Sequence, residues 1–471
     1  MPGVNMTKKN ATIPDLAITS GPSDFRIYQQ DDAGRADIEM AGAWRGAEGC
    51  RDVRILVRLR SEEDSSPVAP ASDWTPVQRM GRGAWGHVVR GVPAGGLYLL
   101  QTLMQWKSGD GSTPQQVRQS VHHLGVGDVW LIAGQSNAEG SGRGIAEDGP
   151  QLGVHVLKPG NAELGIGPWW DLAAHPLSEG GGTSPYLRFA KVLRRELGHP
   201  VGLIQTASGG SALVQWHPEE DPGAPLWRRM LRCVGVAGGR IRGMAWYQGC
   251  HDAAVPGKPH LADRYGERFA RFLELARGEL GNFPVIVSQI NRWSDVVLAP
   301  ELHRGWSKVR QAQRRVDRIG RACCVPTIDL PVSDGIHNSS AGNVVLGERL
   351  ARAALGMVFG RPVIWRAPDA RRATAAGGGR AIVLEFDHVA SGLGLTGKGL
   401  TDFLVEDAGG AVDVARTICA GATVRLELSR AMRGKALVHG AYGADPEVGI
   451  RDLDTNLPML GFYGLPVRKR R

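Results

Sequence analysis

The chain has 471 residues, 42% hydrophobic and 22% charged, which excludes wholesale disorder and leaves room for more than one domain at roughly 100 to 200 residues each. Glycine is the outlier, with 65 residues, about 14% and roughly double the usual share; without the Gly-X-Y period of collagen it points to many tight turns. The net charge of +9 is not gathered into a binding face: in the 308–321 run Val309, Ala312 and Val316 fall at helical spacing and make it a solvated helix, and the last four residues read as a basic tail, so no nucleic-acid partner is expected.

Residues 1–13 read as a disordered N-terminus. Residues 14–124 follow as short strands between turns (FRIYQQ, RADIEMAG, VRILVRL, GHVVRGV, GLYLLQTLMQW), the spacing of a sandwich-like β domain. From Asp128 the pattern changes to apolar strands alternating with amphipathic helices. DVWLIAG, VGLIQTA, MAWYQG, FPVIVSQI and CCVPTIDL are the strands; YLRFAKVLRREL, RYGERFARFLELARGEL, the Trp306 to Val316 segment and VVLGERLARAALGMVF are the helices. Such alternation predicts an α/β fold, a doubly wound three-layer α/β/α domain with a parallel sheet over residues 125–362, whose ligands bind beyond the carboxyl ends of the strands. The last helix follows Asn338, Ser339 and Ser340, any of which can cap it. Strand patterns return in RAIVLEFDHV, FLVEDA, ATVRLELS and KALVHGAY, a second β domain over 363–467, with ATAAGGGR as a hairpin loop or linker and 468–471 as the tail.

Six cysteines without a CxxC pair make neither a disulfide framework nor a zinc site. No apolar run reaches the length of a secretion signal or a membrane span, so a cytoplasmic protein with no membrane partner is expected.

Four polar segments end predicted parallel strands. Ser136, in Gly134-Gln135-Ser136-Asn137, stands where a nucleophile projects into the crevice, although Ala138 breaks the G-x-S-x-G pattern. Asp334 and His337 lie in one loop after TIDL. A serine hydroxyl needs a base near neutrality and that base needs a carboxylate to fix its tautomer, and these two residues offer both. Gly209 and Gly210 end VGLIQTA, where backbone N–H groups can approach an oxyanion, and Gln248 ends MAWYQG with an amide donor. Taken singly, each is as well explained as a cap, a turn, a solvated loop or a satisfied buried amide; together they share the one edge where they can converge.

These segments, in the order Ser, Gly, Gln and Asp-x-x-His, resemble the SGNH (GDSL-like) hydrolase superfamily, and more closely the sialate O-acetylesterase type of carbohydrate esterase. The resemblance runs through GDVWLIAGQSN, SPYLRFAKVLRREL, PVGLIQTASGGSALVQW, AWYQG, VRQAQ and DGIHNSSAGNVVLGERLA, over residues 125 to 356, and extends more loosely to the β-rich flanks. It implies a serine esterase that removes O-acetyl groups from an acetylated carbohydrate, with Ser136 as nucleophile, His337 as general base and Asp334 as its orienting carboxylate. The Ser136 N–H, Gly209 or Gly210 and Gln248 would form the oxyanion hole, and no metal or organic cofactor is called for. Gln135, Asn137, Trp169, Trp170, Trp216 and Trp293 are the candidate substrate contacts, the tryptophans as stacking faces or equally as core filler. Relatives read Gln-Gly-Glu where this chain has Gln248-Gly249-Cys250, so the carboxylate support must come from Asp334 or Asp252. That departure keeps two rivals in view: a glycan-binding protein that retains the fold without turnover, and cysteine chemistry on Cys250 and His251, which adjacent positions on a strand end make geometrically poor.

Overall fold

The computed structural model describes residues 14–469 apart from 47, 80, 82, 108–113, 162, 163, 179, 295–298 and 397–402. The expected disordered segment 1–13 and the end of the basic tail lie outside the described residues.

Val129, Trp130, Leu131, Ile132 and Ala133 are all fully buried, as an unbroken apolar run must be when both faces of its strand are covered. They belong to a strand of 21 residues, Pro114–Gly134, which forms the middle of an 11-stranded sheet. On one side Val201–Gln205 pairs with it in parallel and Val154–Lys158 follows; on the other come Gly243–Tyr247, Val285–Ser288 and Ala322–Val325, again in parallel. The chain thus leaves the central strand to one side and returns to the other, and the crevice between such neighbours is where an open α/β sheet accepts ligands.

The sheet is not purely parallel. Trp169–Leu172 closes its edge antiparallel to Val154–Lys158, because a short excursion without a helical crossover can only return in the opposite direction. VHVLK and WWDL are too short for periodicity to identify, and the sequence reading omitted both. It also omitted the helix Pro225–Ala237, although Leu226, Met230, Cys233, Val234 and Ala237 carry a helical stripe that is buried. The other long helices among the described residues are Tyr186–Leu197, Tyr265–Leu280, Pro300–Arg314 and Ser340–Met357. Of the three proposed caps for the last, Ser339 takes the role: its side chain accepts the Gly342 N–H at 3.1 Å.

The central strand also runs straight through position 124/125, where composition changes. Its first half pairs antiparallel with Gly95–Lys107 and receives Ile27–Gln29 in parallel, so the N-terminal β region and the parallel sheet share one ladder. A second hydrophobic core, including Ile38, Val57, Leu59, Trp85 and Leu100, fills the space against a four-stranded sheet. A third, including Ile382, Leu384, Val405, Leu426 and Phe462, lies under an eight-stranded sheet whose strands Asp369–Ala376 and Ala381–Asp387 form a hairpin about Gly377–Gly379.

Asp128 secures the amino-terminal end of the parallel segment. Its carboxylate, fully buried, accepts hydrogen bonds from Gln30 Nε2 at 3.1 Å and Arg242 Nε at 2.6 Å and meets His199 Nε2 at 2.8 Å. Burial alone would raise its pKa, but the His199 and Arg242 contacts hold it below the usual carboxylate range. One side chain thereby joins the N-terminal segment to two loops that precede sheet strands.

At the other end of the strand, Gly134 has φ +138°, and a Cβ there would lie 2.2 Å from the Tyr247 carbonyl oxygen of the neighbouring strand. Gly134→Ala is expected to cost about 2 kcal/mol or more of stability, since strain and backbone overlap act together; chemical denaturation of the two proteins measures it.

Candidate active site

The central strand ends at Gly134, and the chain turns at once into a single helical turn, Ser136–Glu139. Ser136 heads it. From a loop 201 residues further on, His337 directs Nε2 to Ser136 Oγ at 2.9 Å, while its Nδ1 lies 2.7 Å from Asp334 Oδ2. A ring whose Nδ1–H faces a carboxylate leaves Nε2 free to accept, so the hydroxyl donates to a ready base. Asp334 also shapes its own loop: Oδ1 accepts the backbone N–H of His337 at 3.0 Å and that of Ile336 at 3.4 Å. Partial burial would raise the Asp334 pKa, yet the His337 ring and these N–H groups hold it below the ordinary range, which keeps the carboxylate charged.

Asn137 ties the two halves together. It is buried, its Nδ2 donates to the Ile336 carbonyl at 3.2 Å, and its Oδ1 accepts the Asn338 N–H at 2.9 Å. Its expected contact with substrate is therefore corrected: both ends of the amide are consumed within the protein. Asn338 continues the relay, accepting from Asn291 Nδ2 at 2.6 Å and donating to Asn343 Oδ1 at 3.2 Å. The sequence reading passed over Asn291 and Asn343 and took Asn338 only as a possible helix cap, although it adjoins His337 in the chain.

Gln248 also departs from expectation. It is fully buried, and Nε2 donates to the Ser211 carbonyl at 3.1 Å and to Asp252 Oδ2 at 2.7 Å while Oε1 accepts the Tyr265 hydroxyl at 3.1 Å. With two acceptors around the nitrogen and a donor at the oxygen the amide orientation is unambiguous, and neither hydrogen remains for an oxyanion. The bland alternative, a satisfied buried amide, is the observed one. Asp252 likewise does not reach His337; it binds Gln248, the Leu213 N–H at 3.0 Å and Arg268 Nη1 at 2.9 Å. Among the described residues, no acceptor takes the backbone N–H of Ser136, Gly209 or Gly210. Gly209 and Gly210 are exposed beyond the end of Val201–Gln205, the strand adjacent to the one that delivers Ser136.

The four tryptophans separate. Trp216 is fully buried, its Nε1 donates to Ser211 Oγ at 3.2 Å, and its ring meets Trp246 edge-on at 5.3 Å. Trp170 packs over Gly202 in the core. Trp169 is 44% exposed, but it lines a different cleft, against the N-terminal strands. Trp293 alone of the four is tied to the active-site loop, since the next residue, Ser294, donates its N–H to the Gly335 carbonyl at 2.8 Å. Gln135 is buried, with Oε1 accepting from the backbone N–H of Gly249 at 3.1 Å and His251 at 3.3 Å.

Cys250 is buried and its thiol is pushed up to about 12 by burial, which removes it as a nucleophile. Among the described residues, no three His, Cys, Asp or Glu side chains gather as metal ligands, and no helix is long and apolar enough to cross a membrane.

Residues 126–356 match the family model described as carbohydrate esterase, sialic acid-specific acetylesterase. This segment belongs to that family. The esterase is 28% identical over 251 residues to a probable carbohydrate esterase of Arabidopsis thaliana, across 48% of this chain and 90% of the relative. A crystal structure of a carbohydrate acetylesterase from Xanthomonas citri shares its fold with a TM-score of 0.67 at 23% identity, over 96% of this chain and 99% of that one. The likeness therefore takes in the β-rich regions on either side. The family makes this chain a carboxylic ester hydrolase.

Two outcomes follow from this geometry. Gln248→Ala is expected to act on stability, by about 1 to 3 kcal/mol, because it removes the buried donor that serves Asp252 Oδ2 and the Ser211 carbonyl; a thermal melt measures the loss. Iodoacetamide at mildly alkaline pH should leave esterase activity intact and Cys250 unlabelled, which mass spectrometry of the native protein reads directly.

Proposed function

We propose that the protein removes O-acetyl groups from an acetylated carbohydrate by a two-step serine esterase mechanism. The observation that carries this reading is the unbroken contact from Ser136 Oγ through the His337 ring to the Asp334 carboxylate. His337 Nε2 takes the Ser136 proton as Oγ attacks the acetyl carbonyl carbon, and the Asp334 carboxylate stabilises the imidazolium that results. The carbonyl oxygen, now negative, is met by the N–H groups of Ser136 and of Gly209 or Gly210, a role supported by the lack, among the described residues, of any acceptor for these groups. As the tetrahedral intermediate collapses, the bond to the sugar oxygen breaks and His337 returns the proton to it, leaving an acetyl group on Ser136. Water, deprotonated by the same nitrogen, then displaces the acyl group as acetate and restores the serine.

The domain reading belongs with this proposal: a three-layer α/β/α esterase domain at residues 125–362 between β-rich units at 14–124 and 363–467. Three separate hydrophobic cores support it, and the strand shared across 124/125 makes the first junction rigid. The rival without turnover drew its support from Cys250 in place of a glutamate. The hydrogen bonds of Asp334 to His337 supply the carboxylate that this rival requires to be missing.

Ser136→Ala is expected to lower kcat on an acetylated oligosaccharide or p-nitrophenyl acetate by at least about 10⁴-fold, and Asp334→Asn by about 10²- to 10⁴-fold through the wrong histidine tautomer. A fluorophosphonate should label Ser136 in the wild type. Equal rates in wild type and Ser136→Ala would overturn the mechanism.

A further inference from the structure

We propose that the cleft between the N-terminal four-stranded sheet and the edge of the parallel sheet is a second binding site, separate from Ser136 and His337, that holds a neutral stretch of an oligosaccharide chain. This inference goes beyond the esterase reading and stands without it.

The cleft has a volume of ≈ 1230 Å³, against ≈ 690 Å³ for the one that Asp334 and His337 line, and the two share no lining residue. Pockets for small molecules run to about 300 to 1,000 Å³, so it has room for several sugar rings. One wall is the face of the four-stranded sheet, where Ala41 and Gly86 pair across strands Arg35–Arg45 and Ala84–Pro93 and leave the surface without bulky side chains. The other is built from the edge strand Trp169–Leu172 and the end of the helix Pro225–Ala237. There Trp169 and Val236, both exposed, give an apolar surface on which the C–H face of a pyranose can stack.

The cleft also carries hydrogen-bond donors that the protein itself leaves unused. Tyr28 and Trp170 line it while only 7% of each is exposed, yet among the described residues Tyr28 Oη and Trp170 Nε1 have no partner, and neither has Arg26 Nε. Burial pushes the Tyr28 hydroxyl up to about 12 against the lowering effect of Arg26, whose guanidinium lies 4.6 Å from the ring, so the group keeps its proton and donates. Trp170 packs its six-membered ring over Gly202, which turns Nε1 away from that contact. Buried donors without partners are costly and rare. Sugar hydroxyls and ring oxygens are the acceptors that would answer them. Charge favours a neutral ligand: among the described residues four arginines, two aspartates and one glutamate line the cleft with their signs interspersed. Arg90 lies 3.2 Å from Asp37, Arg35 donates to the Gly91 carbonyl at 2.9 Å, and burial holds the His87 pKa below its ordinary value. A surface of this kind has no single-sign field with which to draw in an ion.

Cellohexaose, xylohexaose and mannohexaose, none of them acetylated, are the probes, titrated into the full chain by calorimetry. Without an acetyl group to cleave, they report binding whether or not the esterase reading holds. Wild type is expected to bind at least one with a Kd below about 1 mM. Trp169→Ala should weaken that binding by about 10-fold or more through loss of the stacking face, and Trp169→Tyr should restore part of it. Tyr28→Phe separates a role in binding from one in folding. Deleting a buried hydroxyl that has no partner should leave the melting temperature at or above that of wild type, while the hexaose binds about 3- to 10-fold more weakly. Failure of all three hexaoses to bind, wild-type affinity in Trp169→Ala or in Tyr28→Phe, or a lowered melting temperature in Tyr28→Phe overturns the proposal.

Discussion

The candidate site depends on one buried asparagine. Asn137 donates to one side of His337 and accepts from the other, through the Ile336 carbonyl and the Asn338 N–H, and so fixes the distance between two segments 201 residues apart in sequence. Serine and histidine must meet at hydrogen-bond range for proton transfer, and misplacement of a reacting group by about 1 Å can cost 10²-fold. A side-chain amide suits this purpose because its donor and acceptor point to opposite ends of a planar group, and burial strengthens both bonds by excluding water. The relay through Asn338 to Asn291 and Asn343 then anchors the His337 loop to the end of a sheet strand and to the last helix.

The sheet supplies the other half of the arrangement. Ser136 follows the central strand, Gly209 and Gly210 follow the neighbour on one side, and Gln248 follows the neighbour on the other. Parallel pairing brings all three turns to the same edge, and the change of winding direction at the central strand opens the space between them. Gln248 contributes by holding this edge together: with Asp252, Tyr265 and Ser211 it forms a buried polar cluster in which every amide position is used. Arg268 gives that cluster its compensating charge by reaching Asp252, so the carboxylate is not left unpaired in the interior.

The C-terminal β region bears on the same machinery. The Arg310 guanidinium, fully buried, donates to the carbonyls of Ile290 and Asn291 on the sheet side and of Gly443 and Ala444 on the other, and Trp293 donates its N–H to Ala444. The segment thus secured carries Asn291, which contacts Asn338, and Ser294, which holds Gly335. The β-rich end of the chain is in this way coupled to the loop that bears His337.

Chain order and residue chemistry alone determined the α/β alternation, the strand-end positions of Ser136, Gly209 and Gln248, and the pairing of Asp334 with His337, because these depend on local apolar periodicity and on short spacings within one loop. The glycine excess was legible in the same way, and Gly134 at its tight approach to Tyr247 is its sharpest case. What sequence could not decide was which polar groups face the cleft and which face inward. Asn137, Gln248 and Trp216 have the same chemistry whether they touch a ligand or a neighbour, and only the tertiary structure, by bringing Ile336, Asp252 and Trp246 against them, turned these three inward. The short edge strands escaped for a related reason: four or five residues carry too few side chains to show a period, and their pairing is settled by the strands already beside them. The continuity of the central strand across 124/125 was likewise a matter of pairing rather than composition, since the polar and apolar halves of one strand differ only in what covers them.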